Sequence, residues 1–297
     1  MNPLVCIVLV NYNGFEDTRE CIESLKKCGY DNLRIIVVDN ASEKAPVKYD
    51  EVISEDICEI MYLAENKGFA GGNNEGIRCA QKYNPEYYLL LNNDTVVTKG
   101  FLTPLIQVFD CYQDVGIVTS KILYWDDKKT IWFGGSYYNR ELGEFKIRGI
   151  GEPDNAQYDQ VEKVEYCTGC LCLLSNKTLE KAGLMSEDYF LYYEDADYCE
   201  RVKDCGLSIY YQPLSCIYHK ESRSTKKGSS VYQYYNNRNY LLFIKRNAHQ
   251  TAKIRLYFKR LTRMLKETFR GRMKYKMCLY VWHDFLNNKV GKTKRRI

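Results

Sequence analysis

Near its start the chain alternates between apolar runs and stretches of helical spacing. Strand-like, largely apolar segments lie at residues 4–10, 33–38, 58–63 and 86–91. Residues 16–28 and 70–83 have helical spacing. Leu4 to Val10 is an unbroken apolar run, as expected of a strand covered on both faces. In the first helical stretch Cys21, Ile22, Leu25 and Cys28 recur on one face, and Gly29 ends it. This β-α-β-α-β order predicts an α/β fold with a parallel sheet and helices on both faces. Sheets of this kind bind ligands beyond the carboxyl ends of their strands, so the residues just after each strand are the ones to inspect.

Each of those positions is polar. Asn11-Tyr12-Asn13-Gly14 follows the first strand and Asp39-Asn40-Ala41-Ser42 the second. The third leads into the glycine-rich segment from Glu65 to Asn74, and the fourth into Asn92-Asn93-Asp94-Thr95. Taken singly, the first two segments fit an ordinary turn or a helix cap equally well. The glycine-rich segment lacks both the Lys-Ser/Thr ending of a P-loop and the spacing of a dinucleotide fingerprint. Its amides at a helix start still suit a diphosphate. Asp94 at a strand end suits a hard divalent cation whose other ligands are diphosphate oxygens and water.

The later chain is less regular. Residues 115–165, rich in Trp, Tyr, Gly and charge, read as strands with loops. Two helical pieces are expected over 175–206 around the acidic run at 194–197, then a strand at 207–211 and a helix at 229–247. Residues 245–297 hold 17 Lys/Arg against Glu267 and Asp284, a balance of +15 that leaves −10 on residues 1–244. Within this tail Ile254, Tyr257, Phe258, Leu261, Leu265 and Phe269 recur at three- and four-residue spacing among basic residues. Such a basic amphipathic helix suits an anionic membrane surface, or simply docking on its own domain. No nucleic acid is expected, because no recognised motif accompanies the charge.

Hydrophobic residues are 45% and charged residues 27%, which excludes a disordered or fibrous chain. The apolar runs are far shorter than the ~20 residues of a membrane span. The N-terminal Met-Asn-Pro-Leu lacks a basic n-region and a cleavage site, so no signal peptide is expected. The 13 scattered cysteines are expected to be mostly reduced and buried. Cys167-x-x-Cys170 has no second Cys/His pair at zinc-finger distance.

In order and approximate spacing these segments resemble glycosyltransferase family two, the inverting GT-A enzymes, and within it the rhamnosyl- and galactofuranosyl-transferase-like branch. The resemblance covers roughly residues 3–247. It implies a GT-A nucleotide-diphospho-sugar transferase fold: a Rossmann-like, mixed, mostly parallel sheet flanked by helices, here with a basic C-terminal helical extension. Residues 1–247 would be the catalytic domain, with a nucleotide-sugar half (1–112) and an acceptor and catalytic half (113–247). Residues 248–297 would be the extension.

Carried over by the same resemblance, Asn11 and Tyr12 flank the nucleoside base, and Asp39 accepts a hydrogen bond from base or ribose. Asn66, Gly68 and Asn74 line the ribose-diphosphate path. Asn92-Asn93-Asp94 stands where the family has its Asp-x-Asp motif, so Asp94 ligates Mn²⁺ or Mg²⁺. Asn92 departs from that motif by one charge, which leaves open whether it touches metal or sugar. Thr168-Gly169 precedes the acceptor site. Glu194-Asp195 matches the family's acidic motif, with Asp195 as the base and Glu194 as a neighbour that holds the acceptor. His219 completes the metal site. Arg223 and Lys226, which follow it, suit neutralisation of the diphosphate or simply a solvated loop. Asp197 and Arg201, four apart, read instead as a structural pair on one helix face.

The expected activity is transfer of a sugar from a UDP- or dTDP-sugar to a hydroxyl, with a lipid-linked glycan for surface polysaccharide as the implied acceptor. Such an enzyme would be cytoplasmic and peripheral at the inner face of the membrane. Two other readings compete. A nucleotidyltransferase would normally carry a basic glycine-rich loop at the first strand, and Asn11-Tyr12-Asn13-Gly14 carries none. A non-catalytic sugar-nucleotide binder would not need Asp39, Asp94, Asp195 and His219 together.

Overall fold

The computed structural model describes residues 2–43, 57–139, 141–221 and 228–297. Arg223 and Lys226 lie outside them. The chain begins with β1 (Val5–Asn11), α1 (Phe15–Lys26), β2 (Leu33–Asp39), β3 (Cys58–Tyr62), α2 (Gly68–Ala80) and β4 (Tyr87–Asn92). These follow the apolar alternation of the sequence. There follow β5 (Thr95–Val97), α3 (Leu102–Cys111), β6 (Val115–Tyr124), β7 (Ile131–Phe133), β8 (Ser136–Asn139), β9 (Glu144–Ile147) and β10 (Glu162–Val164). The chain continues with β11 (Leu171–Ser175), α4 (Asn176–Ala182), α5 (Glu194–Asp204) and β12 (Ser208–His219). Three helices come last: α6 (Ser230–Asn247), α7 (Gln250–Phe269) and α8 (Tyr275–Leu286).

One large sheet runs β10-β12-β6-β11-β4-β1-β2-β3, with β5 on β12 and β7 on β6. The block β4-β1-β2-β3 is parallel. Antiparallel β11 joins it to the parallel pair β6 and β12. Register places the chemistry. Asn11 stands opposite Asp39 and Val10 opposite Asn92, so the first, second and fourth strand ends share one edge. His219 pairs with Thr95, which brings the end of β12 beside Asp94.

Several elements depart from the sequence expectation, the three-residue β5 among them. Helix α3 was not anticipated, because Leu102, Leu105, Ile106 and Val108 are apolar in a short stretch without a strong cap. Strand β11 lies between the strand-and-loop stretch at 115–165 and the helical stretch from 175, and neither pattern extends to it. Strand β12 runs to His219 rather than ending at 211. A register shift against β6 between Gln212 and Cys216 absorbs Pro213 and the exposed Leu214, and pairing then resumes.

A second hydrophobic core lies beside the sheet. Tyr189, Tyr234, Leu241, Phe243, Leu256, Met264, Met277 and Val281 are buried together in it. It spans residue 247, so the basic tail packs on α6. The buried stripe of α7 is Ala252, Leu256, Arg260 and Met264. It is not the more apolar stripe picked out by periodicity, of which Ile254, Phe258, Leu265 and Phe269 remain exposed. Two stripes therefore exist on α7, and docking uses the one that lets Arg260 reach Asn236 and Tyr240 of α6. Among the described residues no helix is long and apolar enough to cross a membrane.

Candidate active site

The strand-end residues form a connected polar floor. The Asn11 amide donates to an Asp39 carboxylate oxygen at 2.9 Å and to the Ser42 hydroxyl at 3.1 Å. Its oxygen accepts from Thr18 and from the Gly14 N–H. Asn93 donates to Thr18 at 2.9 Å and so ties the fourth strand end to the first. Asp39 is buried, and its other oxygen accepts from the Ser42 N–H. Tyr12 is half-buried next to this floor. Asn40, which the sequence reading did not single out, accepts from the Lys67 N–H and donates to the Gly68 carbonyl. It thereby fixes the glycine-rich helix start against β2.

Asn66 caps that start by accepting from the Gly68 N–H at 2.8 Å. Gly68 has φ +75°, and a Cβ there would lie 2.1 Å from the Phe190 carbonyl oxygen. The Phe69 N–H donates to the same oxygen. Only glycine allows this approach, and through it the donor-side loop touches the loop ahead of α5. Asn74 stands apart from the others. Its oxygen accepts from the Met185 N–H and its amide donates to the Met185 carbonyl and to Glu187. Its polar atoms hold residues 185–187 in place, so they do not line a diphosphate path.

At the end of β4 the Asn92 backbone is engaged by Cys170 and Thr95. Asp94 and His219 are both buried, with His219 Nε2 3.2 Å from Asp94 Oδ1. That approach is off the direction of a hydrogen bond, and neither ring nitrogen of His219 has a hydrogen-bond partner. Buried imidazole nitrogens without partners are costly unless something else binds them. An oxygen and a nitrogen donor this close suit a divalent cation, with diphosphate oxygens and water as the remaining ligands. Trp132 packs edge-on against the His219 ring at 4.5 Å and limits its rotation. No signal in the sequence pointed to Trp132. Among the described residues, no group of three or more His, Cys, Asp or Glu could by itself hold a metal. Cys167 lies with Cys172 and Cys199, whereas Cys170 faces Cys21 and Asp94, so the Cys-x-x-Cys spacing does not converge.

The acidic pair opens α5. One Asp195 oxygen accepts from the Tyr166 hydroxyl at 2.7 Å and from the Gly169 N–H at 2.9 Å. The other accepts from the Ala196 N–H at 2.8 Å. Burial raises the Asp195 pKa above the ordinary aspartate value, and those donors work against the rise. Tyr166 is a residue the sequence did not flag; it shows only as another tyrosine two positions before Thr168-Gly169. Asp197 and Arg201 form the expected helix-face pair at 3.3 Å, with Tyr189 also donating to Asp197.

Glu194 is buried, with Oε2 lacking a hydrogen-bond partner. Burial pushes its pKa well up, and the neighbouring Asp195 charge adds to the push. A carboxyl whose folded pKa is raised contributes stability below its unfolded pKa, and that stability is lost as pH rises through the folded value. Glu194→Gln is therefore expected to be more stable than the wild type at neutral pH. Across the titration window the difference should grow by up to about 1.4 kcal/mol per pH unit. Urea unfolding of both proteins between pH 4 and 8 measures it; equal stability at every pH would contradict the burial of an ionisable Glu194.

The loop presenting this pair is strained and clamped. Phe190, Tyr192 and Tyr193 have φ of 64°, 70° and 73°. Buried Asn239 of α6 donates to the carbonyls of Tyr189, Leu191 and Tyr192. Its neighbour Arg238 donates to Asp188 and Tyr189, and to Gly291 near the chain end. Left-handed backbone at three non-glycine residues persists only when surrounding structure over-determines it.

Three kinds of known protein are similar to this chain. The family model described as glycosyl transferase family 2 matches residues 6–181. The low-salt glycan biosynthesis hexosyltransferase Agl10 of Haloferax volcanii is 25% identical over 238 residues, 80% of this chain and 74% of that protein. The dTDP-rhamnosyl transferase RfbF of Shigella flexneri is 24% identical, over 83% of this chain and 82% of its own length. The rhamnosyltransferase WbbL of Escherichia coli K12 is 23% identical, over 73% and 83%. Among solved structures, GalNAc-T7 with UDP, GalNAc and Mn²⁺ has a TM-score of 0.63 at 14% identity, covering 97% of this chain and 58% of its own. The mannosyltransferase PcManGT of Pyrobaculum calidifontis, with GDP-Man and Mn²⁺, has a TM-score of 0.55 at 13% identity, over 97% and 88%. These structures share the GT-A fold, with its mostly parallel sheet flanked by helices. The family match spans more than half of the sequence and includes all four polar strand ends, and on it the chain belongs to glycosyl transferase family 2, a family of inverting nucleotide-sugar glycosyltransferases.

Proposed function

We propose that the protein moves a sugar from a UDP- or dTDP-sugar to a hydroxyl of a lipid-linked glycan during surface-polysaccharide synthesis. The observation that carries this is the placement of two carboxylates with different surroundings. Asp94 lies beside the partnerless nitrogens of His219 at the strand ends. Asp195 is held by Tyr166 and Gly169 at the start of α5. The first set suits the leaving diphosphate and the second the attacking hydroxyl. Relatives named as rhamnosyl transferases, one of them dTDP-dependent, favour a deoxysugar donor of that class.

Asn11, Tyr12 and Asp39 receive the base and ribose, while Asn66, Gly68, Asn92 and Asn93 border the diphosphate and sugar. Asp195 accepts the proton of the acceptor hydroxyl as that oxygen attacks the anomeric carbon from the far face. The bond to the diphosphate breaks in the same displacement, so the anomeric configuration inverts. Glu194 borders the acceptor. Mn²⁺ or Mg²⁺ bound by Asp94 and His219 would offset the charge gathering on the departing diphosphate.

The test is nucleoside-diphosphate release from a panel of nucleotide sugars, with lipid-linked glycan extract as acceptor and with Mn²⁺, Mg²⁺ or chelator. Release with one donor, lost in chelator, is expected. His219→Ala should weaken Mn²⁺ binding, followed by electron paramagnetic resonance, by about tenfold or more. Unchanged Mn²⁺ affinity would remove His219 from the site.

The outer stripe of α7 supports attachment to the inner membrane face. Ile254, Phe258, Leu265 and Phe269 are exposed among Arg255, Lys259, Arg263, Lys266 and Arg270. Replacing Phe258 and Phe269 together with serine should lower binding to anionic phosphatidylglycerol vesicles by about tenfold or more, since burying one phenylalanine is worth about 1.5–3 kcal/mol. Vesicle sedimentation equal to wild type would sink this attachment.

A further inference from the structure

A cleft of about 360 Å³ opens between β9, α6 and α7, lined by Glu144, Phe145, Tyr193, Tyr240, Lys259, Arg260 and Arg263 together with Gly143. Its distinguishing member is Arg260, which is only 6% exposed. One of its terminal nitrogens donates to the Asn236 carbonyl at 2.7 Å and to the Asn236 side-chain oxygen at 2.9 Å. The guanidinium lies 4.3 Å above the Tyr240 ring. Nε has no hydrogen-bond partner, and among the described residues no carboxylate pairs with Arg260. The one acidic residue lining the cleft, Glu144, is taken by Lys259 at 2.6 Å.

A buried guanidinium without a counter-anion is an expensive arrangement. Burial draws the Arg260 pKa below its ordinary value. Arg263 brings a second positive charge to the same cleft, which worsens the repulsion in the empty state. Both costs are relieved by one thing: an oxyanion from outside the chain, taken by the Arg260 fork and Arg263.

The position of the cleft says which substrate would bring the anion. Tyr193 lines it and is followed directly by Glu194 and Asp195. Phe145 lines it and packs at 4.8 Å against Tyr166, whose hydroxyl donates to Asp195. The cleft is thus joined to the base through the Tyr166 ring and through the chain at Tyr193.

We propose that this cleft is an oxyanion subsite for the acceptor, in which Arg260 and Arg263 bind a phosphate or carboxylate carried by the molecule whose hydroxyl Asp195 deprotonates. This rests on the reading of Asp195 as the acceptor-side base. A lipid-linked diphosphate and a uronic-acid glycan both present the required chemistry. Tyr193, Tyr240 and Phe145 line the cleft with aromatic carbon for the sugar or prenyl carbons next to the anion.

The experiment titrates the full chain in chelator, so that metal-dependent binding of diphosphate at Asp94 does not contribute. The probes are farnesyl diphosphate, digalacturonate and, as a control for apolar contacts with α7, farnesol. Binding of either anionic probe with a Kd below about 1 mM, and weaker by about tenfold in Arg263→Ala, is expected. Arg263 is exposed at the cleft mouth, so its removal leaves folding intact; Arg260→Gln tests the buried partner. Preference for farnesyl diphosphate assigns the anion to a lipid carrier, and preference for digalacturonate assigns it to an acidic glycan. Affinity for a nucleoside diphosphate with Mn²⁺ should be the same in Arg263→Ala and wild type. The proposal is overturned if neither anion binds below about 10 mM, if farnesol binds as well as its diphosphate, or if both arginine variants bind as wild type does. Turnover retained in Asp195→Asn would overturn the base assignment instead, without affecting the titration of the cleft.

Discussion

Asp195→Asn is expected to lower kcat by about 10²–10⁴-fold while leaving donor affinity unchanged. The asparagine keeps the shape of the side chain and can still accept from Tyr166 and Gly169, so the loop should stay in place. What it loses is the ability to take a proton. Turnover with a lipid-linked acceptor, compared with nucleoside-diphosphate binding by calorimetry, separates the two. In the wild type the acid limb of kcat/KM should fall above the ordinary aspartate range, because burial raises the Asp195 pKa. Activity is then lost as pH drops through that raised value. A variant that turns over at the wild-type rate would remove Asp195 from the chemistry.

The second large effect is on stability. Asn239→Leu keeps the branched shape of the side chain but leaves the carbonyls of Leu191 and Tyr192 without their side-chain donor, while that of Tyr189 keeps Arg238. A buried polar group stripped of its partner costs about 1–3 kcal/mol. Loss of about 3 kcal/mol in total is expected, a fall in Tm of about 6–12 °C for a chain of this size. The strained backbone at Phe190, Tyr192 and Tyr193 is then free to relax, so activity should drop further than the loss of folded protein explains. Circular dichroism melting, together with activity measured well below the transition, tests both parts. A variant with wild-type Tm and rate would mean that the clamp holds nothing.

Part of this architecture was legible from residue order alone. β1, β2 and β4 are largely apolar runs ending in polar residues, and local patterning suffices to find them. Parallel register then carries Asn11, Asp39 and Asn92 to one edge, which is why the donor-side residues came out together. The misses have a common cause. Asn74, Tyr166 and Asn239 act through partners far away in the chain, and nothing adjacent to them marks that role. Asn74 looked like part of a glycine-rich ligand loop because it sits in one, yet its side chain turns to Met185. Helix α6 is buried on most sides from Tyr234 to Ile244, so it offers no amphipathic stripe from which Asn239 could stand out. On α7 periodicity found the more apolar stripe, but docking depends on what the opposing helix offers, and α6 offers Asn236 and Tyr240 to Arg260.

The clamp on the α5 loop also sets an order in time. A ribosome delivers the strand-end floor of the donor side first. The loop bearing Glu194 and Asp195 follows, but Asn239 comes 47 residues after Tyr192. At about 5–20 residues per second that is a wait of roughly two to ten seconds. Gly291, the other anchor reached through Arg238, arrives later still. On the roles proposed above, a nascent chain would present the nucleotide floor before the acceptor-side base is clamped. On the same roles, donor binding and acceptor chemistry would switch on in sequence as the polypeptide is made, and an arrest ahead of α6 would leave the acceptor-side loop unclamped.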